Sequence, residues 1–276
     1  MIEFSPLTKT WILDIDGTLL NSEKKITSEV FNSIQEAKKI GAKVVLSTGR
    51  PLPGVTPLLN ELNLNDDGDY VICFNGAVVQ EVKSKKVLSN IEMCHDDFVL
   101  INNLAKENNT HVHINTPTNL IIPEETPSKY TIHEATLNKI DIVSMNEEDI
   151  TDDITFCKIM IIDEPEKLEE VLENIPKELF NKYTIVRSAP FFLEFLNKDA
   201  NKGTALKALC ETINIPIEKS IAVGDEENDQ HMIKLAGLGV AMGNARDSIK
   251  EIANYVTCSN NDHGVAKVID KFILNR

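Results

Sequence analysis

Apolar runs of strand length alternate with stretches of helical spacing at both ends of the chain. WILDI, from Trp11, is short, apolar and closed by a glycine turn. TSEVFNSIQEAKKIG has apolar residues at Val30, Ile34 and Ala37, a helical period. Thr27 or Ser28 is placed to cap its start, and Gly41 to end it. AKVVLST is a second strand, PLPGVTPLLNEL a helical segment opened by prolines, and YVICFNG a third strand. The last third repeats the alternation. GTALKALCETI, NDQHMIKLAG, ARDSIKEIA and GVAKVIDKFIL read as helices; SIAVGD, GVAMG and YVTCS read as strands. Helices between apolar strands require crossovers, which predicts a parallel sheet covered on both faces.

The middle breaks this rhythm. From Glu81 to Ser188 the strands HVHIN, NLIIP, CKIMIID and KYTIVRS mix with two helical stretches, near Phe98–Asn108 and Pro165–Asn174. FFLEFLN follows and alternates like an exposed antiparallel strand. The expected architecture is α/β: a Rossmann-like parallel-sheet core from residues 1–82 and 189–276, with an inserted α+β domain over 83–188. The alternative is one larger mixed sheet.

Two aspartates end the first strand. Asp14 and Asp16 are two residues apart, so an extended chain aims both at one small volume. Gly17 then permits a sharp turn and Thr18 a hydrogen bond within it. Adjacent carboxylates repel one another unless a cation lies between them. IAVGDEENDQHM repeats the grammar: Asp225 follows an apolar strand and a glycine, and Asn228 and Asp229 stand at the start of the next helix. Helix capping accounts for Asn228 or Asp229, but not for a carboxylate at the strand end. Carboxylates gathered at one sheet edge ask for a hard, oxygen-seeking cation, Mg²⁺ rather than zinc. His111 and His113 share a strand face without a third ligand, and read as ordinary strand histidines.

Other residues suit a phosphate. VVLSTGRP ends the second strand with Ser47, Thr48, Gly49 and Arg50, offering hydroxyls and a glycine N–H; a plain turn has the same composition. Lys202 in NKGTAL precedes a helix, against the dipole preference of cations, which makes sense if it faces a phosphate or a carboxylate. Lys198 competes with it but belongs to a polar turn. Asn75 and Gly76, at the third strand's end, are either pocket borders or turn residues.

Composition narrows the partners. Forty-three acidic against 28 basic residues give a net charge of -15, which disfavours nucleic acid and anionic membranes and makes a cation necessary wherever a phosphate binds. The five scattered cysteines form no CxxC pair and read as free thiols in the cytoplasm. MIEFSPLTKT lacks a signal-peptide core, and no apolar run is long enough to span a bilayer. Nothing in the sequence speaks to oligomeric state.

DIDGTLL, LSTGR, NKGTAL and GDEENDQHM resemble, in order and strand-end placement, the four motifs of haloacid dehalogenase-type phosphatases. VICFNGAVV and the long insertion resemble the Cof-like subfamily, with its type IIB cap. The resemblance implies a Mg²⁺-dependent phosphatase acting on a small phosphorylated metabolite, such as a sugar phosphate or a phosphorylated cofactor. Asp14 would be the nucleophile that becomes an aspartyl-phosphate, and Asp16 the general acid and then base. Asp14, the backbone carbonyl of Asp16, and Asp225 would hold the metal. Thr48, Gly49, Lys202, Asn228 and the N–H of Ile15 would hold the phosphoryl group. Ser47, Arg50 and Asp229 would support it. A phosphomutase or a non-catalytic phosphometabolite sensor would carry similar motifs. Residues that select the leaving group are not legible; Glu194 and Arg187 lie near the return to the core but have ordinary surface explanations.

Overall fold

The computed structural model describes residues 10–276; the stretch read as lacking a signal core falls, but for its last residue, outside them. The chain divides into two units. One holds the described residues up to Gly49, Pro57–Ser89 and Asn201–Arg276; the other holds Arg50–Thr56 and Asn90–Ala200.

The first unit is built on β1 (Thr10–Asp14), β2 (Lys43–Ser47), β3 (Tyr70–Cys73), β4 (Val78–Glu81) and β5 (Val87–Asn90). Helix α1 (Ser28–Lys39) joins β1 to β2, and α2 (Leu52–Glu61) follows β2. In the second unit lie α3 (His95–Glu107), β6 (His111–Asn115), β7 (Asn119–Ile122), α4 (Lys129–Asn138), β8 (Asp141–Ser144) and β9 (Lys158–Ile162). They are followed by α5 (Pro165–Asn174), α6 (Leu179–Lys182), β10 (Tyr183–Ala189) and β11 (Phe192–Asn197). The chain then returns through α7 (Lys202–Thr212), β12 (Ser220–Gly224), α8 (Gln230–Leu235), β13 (Leu238–Ala241), α9 (Asp247–Ile252), β14 (Tyr255–Val256) and α10 (Gly264–Phe272).

The first unit's sheet runs β14-β13-β12-β1-β2-β3-β4-β5. It is parallel from β14 to β3, as the crossover helices require, and β4 turns back antiparallel on β3. That hairpin was not legible as a strand pair, because VVQE follows the FNG turn with no separate punctuation. Apolar β1 is fully buried, Trp11, Ile12 and Leu13 at 0% exposure. Thr27 caps α1, its hydroxyl accepting from the N–H of Val30 at 3.4 Å, and Val30, Ile34 and Ala37 face the core. Because the chain passes from β1 to β2 on one side and places β12 on the other, the carboxyl ends of β1, β2 and β12 stand together at a topological switch point, where open α/β sheets bind ligands.

The second unit has its own six-stranded mixed sheet, β10-β11-β9-β6-β7-β8, so the single larger sheet does not occur. Two expectations are corrected here. FFLEFLN is antiparallel but not exposed: β11 lies between β10 and β9, and Phe192 to Leu196 are all buried. The second sheet therefore takes in residues past Ser188, and the unit runs to Ala200. One face, from Val112, Ile114, Ile159, Ile161, Leu193 and Phe195, packs against Phe98, Ile101 and Leu104 of α3 and Leu168 and Val171 of α5. The other face receives α4, which the sequence pattern did not announce. No helix among the described residues is long and apolar enough to cross a membrane.

Candidate active site

Asp14 is the last residue of β1, and Asp225 follows Gly224 at the end of neighbouring β12. Both residues are buried, at 8% and 6% exposure. Carboxylate oxygens of Asp14, Asp225 and Asp229 lie within 4.8 Å of one another. Like charges so close demand compensation, and one source is on the chain. Lys202 opens α7, where a cation opposes the helix dipole, yet its side chain is completely buried. Its Nζ lies 2.5 Å from Oδ1 of Asp14 and 2.7 Å from Oδ1 of Asp229. The cap of α7 is met by Asn201 instead, whose side-chain oxygen accepts from the N–H groups of Gly203 and Thr204 at 3.0 Å. Lys198 lies elsewhere, in the second unit, donating to the carbonyl of Phe180 at 3.4 Å.

Asp229 also organises the turn after β12. Its Oδ2 accepts from the N–H groups of Asp225 at 2.8 Å and Glu226 at 3.0 Å. With both oxygens engaged, it serves the ammonium and the backbone. Thr18 donates to Oδ1 of Asp225 at 2.7 Å, so its hydroxyl bridges two strand ends rather than closing its own turn. Gly17 sits at φ +86°, and a Cβ there would stand 2.2 Å from Oδ2 of Asp225; glycine is required on both counts.

Burial pushes the carboxyl of Asp14 up to about 7, against the opposing pull of Lys202. Burial likewise raises Asp225 to about 6, with the Thr18 hydroxyl pulling the other way. Burial works against the charge of Lys202, but Asp14 and Asp229 outweigh it and raise the pKa, so it stays an ammonium. Three carboxylates and one ammonium leave a surplus of two negative charges when all are ionised. An oxygen-only donor set with that surplus fits a hard divalent cation.

Asp16 does not join this buried group. The strand ends at Asp14, so the simple alternation that would aim both carboxylates alike stops there. The Asp16 side chain is 45% exposed and lies 3.0 Å from Lys24 Nζ. Ile15, between them, is buried in the turn. On β2, Ser47 pairs in register with Asp14; its hydroxyl is buried without a hydrogen-bond partner. Thr48 is buried just beyond, its N–H donating to the carbonyl of Ile72 and its carbonyl accepting from the N–H of Asn75. Gly49 faces the Asn75 amide: a Cβ there would approach Nδ2 at 3.2 Å. Asn228 donates from Nδ2 to Oδ1 of Asn75 at 3.1 Å, linking the β12 turn to the β3 end. Arg50 groups with the second unit.

One residue escaped the motif reading. Asn244, past the end of β13, donates to the carbonyl of Gly17 at 2.8 Å, and its Oδ1 accepts from the N–H of Asn260. The signal was available in GVAMGNA, another strand-then-glycine ending on the strand beside β12. The two strand histidines do not join the carboxylate group: His111 lies 2.9 Å from Glu124 Oε2, and His113 is buried beside Thr131 and Met160. Arg187 donates to the carbonyls of Pro165 and Pro190.

The model of the haloacid dehalogenase-like hydrolase family matches residues 11–269. The chain belongs to that family. YxeH of Bacillus subtilis (strain 168) is 42% identical over 262 residues, 95% of this chain and 97% of that protein. From the same organism, the protein named 5-amino-6-(5-phospho-D-ribitylamino)uracil phosphatase YcsE is 35% identical over 263 residues, covering 95% of this chain and 94% of its own. The crystal structure of a haloacid dehalogenase-like hydrolase from Bacteroides thetaiotaomicron superposes with a TM-score of 0.81 at 34% identity, covering 95% of this chain and 98% of that one. The parallel core with a separately inserted mixed sheet is therefore this family's architecture, and the Cof-like reading of the insertion stands with it.

Proposed function

We propose that this haloacid dehalogenase-like phosphatase hydrolyses a small phosphomonoester in two steps through an aspartyl-phosphate on Asp14, with Mg²⁺ as its cation. The observation that carries the reading is the meeting of Asp14, Lys202, Asp225 and Asp229 at one sheet rim, from positions far apart in sequence. A carboxylate at a strand end, steadied by a buried ammonium, is a suitable nucleophile for phosphorus.

In the first step an oxygen of Asp14 bonds to phosphorus and the ester P–O bond breaks. Asp16, half-exposed and outside the buried cluster, gives its proton to the departing oxygen. In the second step Asp16, now a carboxylate, takes a proton from water. The water oxygen bonds to phosphorus, the aspartyl P–O bond breaks, and inorganic phosphate leaves with Asp14 restored. Lys202, the Thr48 hydroxyl, Asn228 and the N–H groups of Gly49 and Ile15 hold the phosphoryl oxygens through both steps. Thr48 is preferred to Ser47 because it stands beyond the strand beside Gly49. Asp14, the backbone carbonyl of Asp16, and Asp225 would hold the cation, with Asp229 keeping Lys202 and the Asp225 turn in place. Bound there, Mg²⁺ supplies positive charge to the phosphoryl oxygens in a protein whose net charge is -15.

Similarity to a phosphatase of a ribityl-uracil phosphate favours a substrate of that general size, a sugar phosphate or a phosphorylated cofactor precursor. The unbridged cysteines accord with the cytoplasm. The test is phosphate release from p-nitrophenyl phosphate and a panel of phosphorylated metabolites with Mg²⁺, using Asp14→Asn as the blank. In ¹⁸O-labelled water the released phosphate is expected to carry solvent oxygen. Transfer to a substrate hydroxyl without solvent incorporation would identify a mutase instead. Turnover no greater than the blank across the panel would leave a phosphometabolite sensor.

A further inference from the structure

The turn that follows β13 places one carboxamide between the two strand ends that carry Asp14 and Asp225. Asn244 Nδ2 donates to the carbonyl of Gly17 at 2.8 Å and lies 3.5 Å from Oδ2 of Asp225, at the limit of hydrogen-bond reach. The other oxygen of that carboxylate, Oδ1, accepts from Thr18 at 2.7 Å. The same turn holds the backbone around Asp225. The carbonyl of Asp225 accepts from the N–H of Arg246 at 3.1 Å, and that of Gly224 from the N–H of Met242 at 3.0 Å. All of these residues belong to the first unit.

The carboxamide can face only one way. Its Oδ1 accepts from the N–H of Asn260 at 2.9 Å, and a backbone N–H can only donate, so the NH₂ end is turned to Gly17 and Asp225. Asn260 is itself anchored, its Nδ2 donating to the carbonyl of Leu20 at 2.8 Å. Packing does not account for the arrangement, because Asn244 is an exposed residue. The conformation of Gly17 does. At φ +86° it lets the chain turn sharply after Asp16, but a residue without a Cβ restrains its own torsions only weakly. The peptide group before it carries the Asp16 carbonyl, which a loose Gly17 would leave free to swing. A hydrogen bond on the Gly17 carbonyl fixes the far side of that soft residue.

We propose that Asn244 is a positioning residue for the cation. By tying the Gly17 turn to Asp225, it sets the Asp16 carbonyl and the Asp225 carboxylate in place before the ion arrives. This rests on the reading that Asp14, the Asp16 carbonyl and Asp225 hold a divalent cation. The effect of Asn244 passes through the two groups it holds. It therefore belongs to the affinity for the cation, where an orienting partner is worth about 10–100-fold, and not to kcat once the cation saturates.

The test is direct titration of the full chain, with Mn²⁺ followed by loss of the free-ion EPR signal and with Mg²⁺ by calorimetry. The proteins are the wild type, Asn244→Leu, Asn244→Asp and Asp225→Asn, with urea unfolding in the absence of metal alongside. Asn244→Leu is expected to weaken the binding of both ions about 10–100-fold and to keep the wild-type urea midpoint. Its kcat on p-nitrophenyl phosphate should return to the wild-type level at saturating Mg²⁺. Asn244→Asp keeps the shape and the acceptor for Asn260 but turns an oxygen toward Gly17 and Asp225. It should bind both ions more weakly than the wild type, although its added charge alone would strengthen binding. Wild-type affinity in Asn244→Leu overturns the proposal, as does tighter binding in Asn244→Asp. Affinity lost only in step with the urea midpoint in both variants overturns it too, in favour of a structural role. Failure of the cation reading looks different and removes both: no saturable Mn²⁺ binding by the wild type, or equal binding by Asp225→Asn.

Discussion

The ammonium of Lys202 stands 2.5 Å from Oδ1 of Asp14, 188 positions earlier in the chain, and no part of the lysine side chain reaches solvent. It also holds Asp229 at 2.7 Å, so one cation compensates two buried carboxylates. Lys202→Met removes that charge while keeping most of the side-chain volume. Leaving buried partners unpaired costs about 3–5 kcal/mol of stability, and losing a preorganised charge costs about 10²-fold or more in kcat. Both should appear together, the first in urea unfolding and the second in p-nitrophenyl phosphate hydrolysis. Turnover within about tenfold of wild type would mean that the ammonium serves the fold alone.

Thr18 reaches across 207 positions to donate to Asp225 at 2.7 Å. A partner that orients a metal-binding carboxylate is typically worth about 10–100-fold in metal affinity. Thr18→Val, nearly the same shape without the hydroxyl, should raise the Mg²⁺ concentration for half-maximal activity by about that factor. Thr18→Ser, which keeps the donor, should stay close to wild type. The pair separates the hydrogen bond from packing, and equal behaviour of the two variants would count against the assignment.

Gly17 gives a sharper test of how tightly the rim is built. A methyl group at this position meets Oδ2 of Asp225 at 2.2 Å, and the backbone is already at φ +86°. Gly17→Ala must therefore displace the carboxylate or the turn, at a cost of about 1–3 kcal/mol for the strained backbone. The expected result is a folded protein with turnover reduced toward that of Asp225→Asn. Circular dichroism and phosphate release measure the two halves of that statement, and wild-type turnover would show that the turn yields freely.

These contacts also show which parts of the molecule were legible from sequence. β1, β2 and β12 are apolar runs ending in glycine-rich polar turns, and strand-end placement is local information. It pointed to Asp14, Asp225 and Lys202, which the fold does bring together. Thr18 looks like a turn residue because its partner is distant in sequence, and the alternation aims Asp16 with Asp14 because it gives no warning that the strand stops. The second unit was harder for a common reason. On α4 the buried residues include Thr131, Glu134 and Asn138, while Ile132 and Leu137 are 49% and 64% exposed. A helix that buries its polar side defeats a hydrophobic-period reading. Glu194 made β11 look half-exposed for the same reason, its partner Lys158 lying on another strand.

His113, on that polar-lined face, yields a prediction about stability rather than turnover. Its ring is fully buried, with Nδ1 3.4 Å from Thr131 Oγ1 and Nε2 3.2 Å from Met160 Sδ. Burial, reinforced by the nearby charge of Lys158, pushes its pKa from 6.5 down to about 3. In the unfolded chain the ring takes a proton near its ordinary pKa, so between these values the unfolded state binds more protons than the folded one. The stabilising contribution is therefore complete above about 6.5 and is lost as pH falls toward about 3, at roughly 1.4 kcal/mol per pH unit. His113→Leu removes this term. Urea unfolding at pH 7.5 and pH 4.5 should show the wild type losing stability relative to the variant on acidification, by on the order of 2–3 kcal/mol. A difference between the two proteins that does not change with pH would mean that His113 takes up its proton as readily in the fold as in the unfolded chain, and that its surroundings are wetter than its burial implies.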